Sequence, residues 1–126
     1  MNRPDLEGVK NRFRLFVTTY GEGGRSGTVP VNFLVHEGRV YFTTRKASVK
    51  ARRIRKDPRV TVRFGSRDAK PFDGRAAWVE DMALYDFILA RWRRKYWFLW
   101  WVMGRGIRRR KESGESTAIE ITFEGG

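Results

Sequence analysis

The chain has 126 residues, of which 40% are hydrophobic and 33% are charged, and its formal net charge is +13. This length suits a single domain over residues 1–126 with one modest core. The absence of cysteine excludes disulfides and cysteine-ligated metal sites, and the longest apolar run, residues 96–103, is far shorter than the roughly 20 residues that span a bilayer. The polar opening of the chain does not have the pattern of a signal peptide, so we expect a cytoplasmic protein.

The first part of the chain predicts strands joined by turns. Residues 13–20 are rich in β-branched and aromatic side chains, which favours a strand, and the glycine-rich segment 21–27 predicts a turn. Residues 28–36 and 39–44 predict two more strands, and the two residues between them, Glu37 and Gly38, are typical of a hairpin. Because Pro30 has no amide hydrogen, we expect its strand at a sheet edge.

A short basic helix is predicted at residues 47–56. Ser48 suits the position that caps its N-terminus, and Pro58 ends it because the residue before a proline avoids helical dihedral angles. Lys50 and Arg53 are three residues apart, so their side chains share one face of the helix.

The second half of the chain predicts further strands and one long helix. Alternating apolar residues predict strands at 59–64, 75–80 and 117–123, with a loop at 65–74. Apolar residues at helical spacing predict a helix over residues 83–103. Five or six strands with these helices favour a mainly β, α+β fold built as a small barrel over a parallel sheet.

The sequence offers few residues for catalysis. Its one histidine, His36, lies beside the predicted hairpin turn, where a histidine is usually a solvated surface residue. No cluster has the spacing of a metal site, and the glycine-rich segment 21–27 lacks the Lys-Ser/Thr ending of a phosphate loop. If the protein is an enzyme, a bound cofactor is therefore expected to supply the chemistry.

The most informative segment is residues 43–62, in which a strand, a capped helix and a strand follow closely. A helix N-terminus offers free amide donors and a partial positive charge to an anion. The hydroxyls of Thr44 and Ser48 and the cations of Lys50 and Arg53 could converge there on one phosphate. The alternative is a solvated basic helix.

Two blocks concentrate the positive charge. Residues 45–67 hold ten Lys/Arg against one acid, and residues 91–111 hold nine Lys/Arg and no acid. Such blocks attract phosphates, nucleic acid, acidic lipid or acidic proteins. In the second block, tryptophans alternate with arginines, which suits base stacking or an interfacial helix. The alternative is that one face of this segment packs on the barrel or on a second copy of the chain.

These features in their order resemble the pyridoxamine 5′-phosphate oxidase-like, FMN-binding split β-barrel superfamily, and most closely its branch that uses the deazaflavin coenzyme F420. The resemblance rests on the TVPV strand (28–31), the EGRVYFTT hairpin (37–44), the SVKARRIRKDPRVTV segment (48–62), RRKY (93–96) and AIEIT (118–122). The sequence departs from the usual pattern at Asn32, where an aromatic residue is common, and in the loop 65–70.

The resemblance implies a homodimer with a cofactor groove between subunits and an F420-dependent oxidoreductase that transfers a hydride between the reduced deazaflavin and a small organic acceptor. An FMN-dependent enzyme, or a flavin carrier of the same fold, is the alternative. The resemblance also implies that strand 28–31 lies along the ring system of the cofactor and that polar residues surround the cofactor phosphate. The expected cofactor-binding residues are Thr28, Val29, Pro30, Val31, Thr43, Thr44, Ser48, Lys50 and Arg53.

The late helix is expected to be peripheral to hydride transfer, since it carries no polar residue with an obvious chemical role. Trp97, Trp100 and Trp101 lie close together on an ideal helix. We expect this aromatic face to cover the cofactor groove or to pack on the partner subunit, because a large exposed apolar patch is unusual on a soluble monomer.

Overall fold

The structure is a computed structural model that describes residues 4–9, 12, 14–97 and 116–123. The described ranges form seven strands and three α-helices, together with a short 3₁₀ turn at Glu22–Gly24. In chain order the elements are α1 (Leu6–Val9), β1 (Leu15–Tyr20), β2 (Ser26–Val31), β3 (Leu34–His36), β4 (Arg39–Arg45), α2 (Val49–Lys56), β5 (Arg59–Phe64), β6 (Phe72–Val79), α3 (Met82–Lys95) and β7 (Ser116–Thr122).

All neighbouring strands pair antiparallel in one sheet with the order β2-β1-β5-β6-β7-β4-β3. The two edges, β2 and β3, follow each other in the chain and are joined only by Asn32 and Phe33. Two residues cannot span a wide, flat sheet, so the sheet must curl until its edges come near each other. This is a split β-barrel, mainly β with accessory helices, as the sequence predicted.

The core lies inside the curled sheet. Alternation along β1 directs Leu15 and Val17 inward and Phe16 and Thr18 outward. The same alternation in the other strands fills the interior with β-branched, leucine and aromatic side chains, chiefly Val40, Phe42, Val60, Val62, Phe64, Ile119 and Ile121.

The helices close the barrel from outside. α2 contributes Ile54 to the main core, and its Ala51 carbonyl accepts a hydrogen bond of 2.9 Å from Trp78 Nε1 of β6. α3 packs a second apolar cluster against β3, β4 and β7, which includes Leu34, Tyr41, Tyr85, Ile88, Trp92, Tyr96 and Ala118. Within the described ranges, no helix is long and apolar enough to cross a membrane.

The structure corrects the prediction of one strand over residues 28–36. That segment belongs to two strands at opposite edges of the sheet, broken at Asn32 and Phe33. The residues before and after the break are equally apolar, so composition alone does not show that the chain passes there from one edge of the sheet to the other. The described ranges therefore contain seven strands where five or six were expected.

The predicted hairpin turn and edge strand are confirmed, whereas the predicted turn 21–27 is shorter, since β2 begins at Ser26. Glu37 and Gly38 have φ of 51° and 75° and link β3 to β4, which is the left-handed pair that a two-residue hairpin turn requires. Pro30 lies in β2, an edge strand. The predicted strand 59–64 coincides with β5.

Other boundaries differ by a few residues. The basic helix begins at Val49 instead of residue 47, because Ser48 has extended dihedral angles and serves as its cap. β1 begins at Leu15, two residues after the predicted start at Phe13, which lies outside the described residues. β6 begins at Phe72, inside the predicted loop 65–74. α3 begins at Met82 after its cap Asp81 and ends at Lys95, because Tyr96 has the non-helical dihedral angles φ −113° and ψ 39°. The predicted single helix over residues 83–103 is thus interrupted at Tyr96, and residues 98–103 lie outside the described residues.

Candidate cofactor-binding site

Two hydroxyls meet at the N-terminus of α2. Ser48 Oγ accepts a hydrogen bond of 3.2 Å from the Ala51 amide, and it lies 3.1 Å from Thr44 Oγ1 at the end of β4. Thr44 is buried and Ser48 is half-buried. The predicted cap is therefore confirmed, and it places both hydroxyls beside the free amides and the positive end of a helix dipole.

Lys50, one turn into α2, is a half-buried cation. Burial lowers the pKa of its ammonium group from the ordinary value of 10.5, since the surroundings disfavour the charged form. Among the residues that the structure describes, no carboxylate lies within ion-pair distance of Lys50. Its charge is thus available to an anion from outside the chain.

Arg53 reaches from α2 to the turn between β1 and β2. A Cβ atom built on Gly21 would lie 3.0 Å from Arg53 Nε, and one built on Gly27 would lie 2.9 Å from Arg53 Nη1. The two glycines therefore make room for the guanidinium group, which sits directly beside the start of β2. Arg53 also has no carboxylate partner in the described part of the chain.

β2 supplies the neighbouring wall as an edge strand. Thr28 Oγ1 lies 2.6 Å from Thr18 Oγ1 of β1, so its hydroxyl is held on the outer face of the sheet. Val29 and Pro30 are exposed, and Val31 is half-buried against the main core. The structure thus places Arg53 at one end of the strand that the resemblance assigns to the ring system.

Thr43 is not brought to the same point as Thr44. Successive side chains of a strand point to opposite faces; Phe42 belongs to the main core, whereas Tyr41 packs under α3. Thr44 therefore lies on the side of Phe42 and Thr43 on the side of Tyr41. The predicted set divides into Thr44, Ser48, Lys50 and Arg53, which we call the phosphate clamp, the wall Thr28–Val31, and Thr43 apart from both.

Sequence reasoning missed a chain of hydroxyls on the outer face beside Thr28. Tyr20 Oη lies 2.6 Å from Thr61 Oγ1, and Thr61 Oγ1 donates a hydrogen bond of 3.0 Å to Asp73 Oδ1. Because the Thr61 proton is directed to Asp73, Thr61 accepts from Tyr20. Alternation in β1 and β5 predicts that Tyr20 and Thr61 face away from the core, but only the strand pairing shows that they meet.

A second missed feature is a clasp between the end of α3 and the connection from β2 to β3. Tyr96 Oη accepts from the Phe33 amide at 3.1 Å and donates to the Phe33 carbonyl at 3.0 Å. Lys95 Nζ donates to the same carbonyl at 2.9 Å and lies 3.9 Å from the centroid of the Phe33 ring. Burial raises the pKa of Tyr96 to about 12 and lowers the pKa of Lys95 to about 8.

The clasp fixes the connection that follows the β2 wall.

The predicted apolar stripe of α3 is present, with Ile88 and Trp92 buried and Leu84 half-buried. Trp97 is 66% exposed on the single chain; Trp100 and Trp101 lie outside the described residues, as does most of the predicted basic run after residue 97.

The donors of the site suit a phosphate and do not suit a metal. The described residues contain no group of three or more histidine, cysteine or acidic side chains that could hold a metal ion. His36 is half-buried with its ring 4.6 Å from that of Phe87, instead of being solvated as the sequence suggested. Hydroxyls, a helix N-terminus, an ammonium and a guanidinium are groups that bind phosphate.

Comparison with known proteins identifies the family. The family described as pyridoxamine 5′-phosphate oxidase matches residues 6–126. The chain belongs to this family. No curated protein matches the sequence.

Solved structures share the fold at low sequence identity. The heme storage protein HutZ from Vibrio cholerae is 18% identical, with a TM-score of 0.74 over 99% of this chain and 92% of that one. The protein Rv2991 from Mycobacterium tuberculosis is 18% identical, with a TM-score of 0.75 over 99% and 82%. A FAD-binding protein from Mesorhizobium loti is 18% identical, with a TM-score of 0.61 over 97% and 91%.

Proposed function

We propose that this family member binds coenzyme F420 by its phosphate at the clamp and acts as an oxidoreductase that transfers a hydride between the reduced deazaflavin and a small organic acceptor. The observation that carries the proposal is helix α2, whose capped N-terminus brings the hydroxyls of Thr44 and Ser48 together and whose next two turns carry half-buried Lys50 and Arg53, neither with a carboxylate partner in the described chain. When bound, the cofactor ring supplies the hydride chemistry.

Each member of the clamp has a separate task. The amides at the start of α2 and the hydroxyls of Thr44 and Ser48 provide neutral hydrogen bonds in a fixed direction. Lys50 provides a compact charge, and Arg53 provides a planar fork that matches two phosphate oxygens. Partial burial strengthens the attraction between these cations and a phosphate, because water screens the charges of half-buried groups less than those of exposed groups.

The β2 wall orients the rest of the cofactor. Val29 and Pro30 are exposed on opposite faces of this edge strand, since Val29 pairs with Val17 and Pro30 with Phe16, and each offers an apolar contact to a ring at its own face. Thr18 holds the Thr28 hydroxyl, and the Tyr96 clasp holds Phe33 just beyond the strand. The strand is thus fixed at both ends, and such pre-organisation lowers the entropic cost of binding.

The outer-face hydroxyls offer a route for a proton. The hydrogen bonds run from Tyr20 Oη to Thr61 Oγ1 and on to Asp73 Oδ1, which is exposed to solvent. We expect this route to take up or return the proton that accompanies hydride transfer.

Cofactor titration tests the proposal. The purified chain is titrated separately with coenzyme F420 and with FMN, binding is followed by fluorescence, and the retained cofactor is identified by mass. Both cofactors present a phosphate to the clamp; the net charge of +13 supports F420, which carries an acidic oligoglutamate tail. Tighter binding of FMN would make the protein an FMN-dependent member, and binding of neither cofactor would contradict the proposal.

Turnover separates an enzyme from a carrier. The loaded protein is mixed with a panel of organic acceptors, and oxidation of the reduced cofactor is followed by absorbance. Stoichiometric binding without turnover would favour a flavin carrier. Steeply salt-dependent binding to nucleic acid or anionic vesicles would favour the alternative interpretation of the basic segments.

We also propose a homodimer with the cofactor groove between subunits. Several large apolar side chains are exposed on the single chain, including Val49 at 54% and Trp97 at 66%, and small domains often gain stability by association. Light scattering over a dilution series measures the oligomeric state. A folded monomer at micromolar concentration would contradict the dimer and the shared groove.

A further inference from the structure

A second cationic site lies at the opposite end of β1 from the clamp. Arg14 Cζ and Arg67 Cζ lie 5.9 Å and 5.1 Å from the centroid of the Phe16 ring. Arg63 stands directly across from Phe16 in the pairing of β1 with β5, so its side chain leaves the same face of the sheet. We call Arg14, Arg63 and Arg67 the arginine cluster.

The backbone brings the three arginines together from different segments. The Gly65 amide donates a hydrogen bond of 3.0 Å to the Arg14 carbonyl, which ties the loop after β5 to the start of β1. The Phe16 ring is only 8% exposed because it lies beneath the guanidinium groups. An aromatic ring attracts cations to its face, and this holds the arginines close to one another despite their repulsion.

No carboxylate compensates these charges within the described residues. None of Arg14, Arg63 and Arg67 forms an ion pair there, and the nearby Asp68 is exposed and also unpaired. The guanidinium groups of Arg14 and Arg67, which lie over one ring, are suited to carboxylates and phosphates, which guanidinium groups bind in a bidentate manner.

The cluster and the clamp are distinct sites. Arg53 lies beside Gly21, just after the last residue of β1, whereas Phe16 is near the first residue. Arg53 also lies beside Gly27, which pairs with Thr19, while Phe16 and Thr18 point to the outer face. A line of polar side chains on that outer face, Thr18 and Thr28, leads from the cluster toward β2.

We propose that the arginine cluster binds the acidic end of the substrate, a small molecule that carries two or more carboxylate or phosphate groups. The role of the cluster as a substrate subsite rests on the proposed function. In that case Thr18 and Thr28 on the outer face lie between the acidic end of the substrate and the β2 wall, where the cofactor ring is proposed to lie. The binding of the multivalent anion itself does not depend on the cofactor.

Calorimetry with inorganic pyrophosphate and, separately, with citrate tests the site. The protein is first saturated with the cofactor that it binds; if it binds neither, the Lys50→Ala/Arg53→Ala double variant is used, so that the clamp cannot hold the probe. We expect one anion per chain, with affinity weakened at least tenfold by Arg63→Ala/Arg67→Ala. Tighter binding of pyrophosphate indicates a phosphate-bearing substrate, and tighter binding of citrate a carboxylate-bearing one.

Arg91→Ala is the matched control, since Arg91 is also an exposed arginine over a phenylalanine ring, with its Cζ 5.6 Å from the centroid of Phe87. It should leave anion binding unchanged. Equal weakening by Arg91→Ala, or unchanged binding in the Arg63/Arg67 variant with unaltered circular dichroism, would overturn the proposal. Anion binding at the cluster in a protein that binds no flavin would refute only the proposed function.

Discussion

The phosphate clamp and the arginine cluster are both cationic, but they are built in different ways. The clamp comes from ten consecutive residues, 44–53, and combines hydroxyls, helix amides and a half-buried lysine with one arginine. The cluster comes from two strand ends and a loop: Arg14 and Arg67 lie over the Phe16 ring, and Arg63 stands opposite Phe16 in the strand pairing. Directed hydrogen bonds and desolvation suit the clamp to a single phosphate, whereas exposed charges suit the cluster to a multivalent anion and make it more sensitive to salt.

The largest expected effect is the loss of cofactor binding from the clamp. Lys50→Ala/Arg53→Ala removes two charged hydrogen-bond donors, each worth roughly 1.5–3 kcal/mol, so cofactor affinity should fall by more than a hundredfold. Fluorescence titration with coenzyme F420 and with FMN measures it. The Arg63→Ala/Arg67→Ala variant removes the same number of charges and should retain cofactor affinity. An equal loss of cofactor affinity in both variants would show that the clamp has no special role in cofactor binding.

The clasp anchors the end of β2 that pairs with the start of β1, close to Phe16 of the arginine cluster. Tyr96→Phe leaves the buried Phe33 amide without its partner, which should lower the free energy of unfolding by about 1–3 kcal/mol. Urea denaturation gives this value. Cofactor affinity should also fall because the β2 wall loses its anchor, and pyrophosphate binding at the cluster should weaken with it, because Pro30 of this wall pairs with Phe16. A free energy of unfolding equal to that of the original chain would show that the clasp contributes nothing.

Removal of the helix cap should have a smaller effect. Ser48→Ala deletes the acceptor of the Ala51 amide and should destabilise the protein by about 1 kcal/mol, with an additional loss of cofactor affinity from the missing clamp hydroxyl. Ser48→Thr keeps a hydroxyl and is the control. If Ser48→Ala weakens neither stability nor cofactor binding, the hydroxyls are not part of the clamp.

The smallest effect is a difference in pH dependence. A bound phosphate favours the protonated form of Lys50, so cofactor affinity should fall as the pH rises through the lowered pKa of Lys50, below its ordinary value of 10.5. Guanidinium groups keep their charge over this range, so citrate binding at the cluster of the cofactor-loaded protein should stay constant. Isothermal titration at successive pH values measures both, and Lys50→Arg should abolish the pH dependence of cofactor binding. A parallel fall in citrate binding would contradict this account.

Stability itself should depend on pH through Lys95. Its pKa of about 8 in the folded protein lies below the ordinary value of 10.5, so between these values the unfolded chain binds more protons than the folded one, and stability rises with pH. The rise should be visible from about pH 8 until Tyr96 and Tyr41 begin to act above pH 10.0, where their raised pKa values reverse the trend. Urea denaturation of Lys95→Met should show a smaller rise in this window, because the lowered pKa of Lys50 contributes in the same direction.

Local features of the fold could be predicted from the sequence because their causes lie within a few residues. The Ser48 cap, the Glu37-Gly38 turn and the alternating strand β5 depend on hydrogen bonds and dihedral preferences between near neighbours. Four of the nine expected cofactor residues lie between residues 44 and 53, where the Thr44–Ser48 contact and the shared helix face of Lys50 and Arg53 follow from short-range geometry. The family resemblance rests on the order of the same local motifs.

What the sequence alone determined is therefore the set of local elements, the capped basic helix α2 and the family. The tertiary structure decided how distant segments meet: the break between β2 and β3 at opposite sheet edges, the clasp of Tyr96 on Phe33 across 63 residues, the separation of Thr43 from Thr44, and the approach of Arg14 and Arg67 to the Phe16 ring. These contacts depend on strand register and on the curl of the whole sheet, which are set by the sum of many side-chain contacts in the core and leave no signal in the spacing of any single segment.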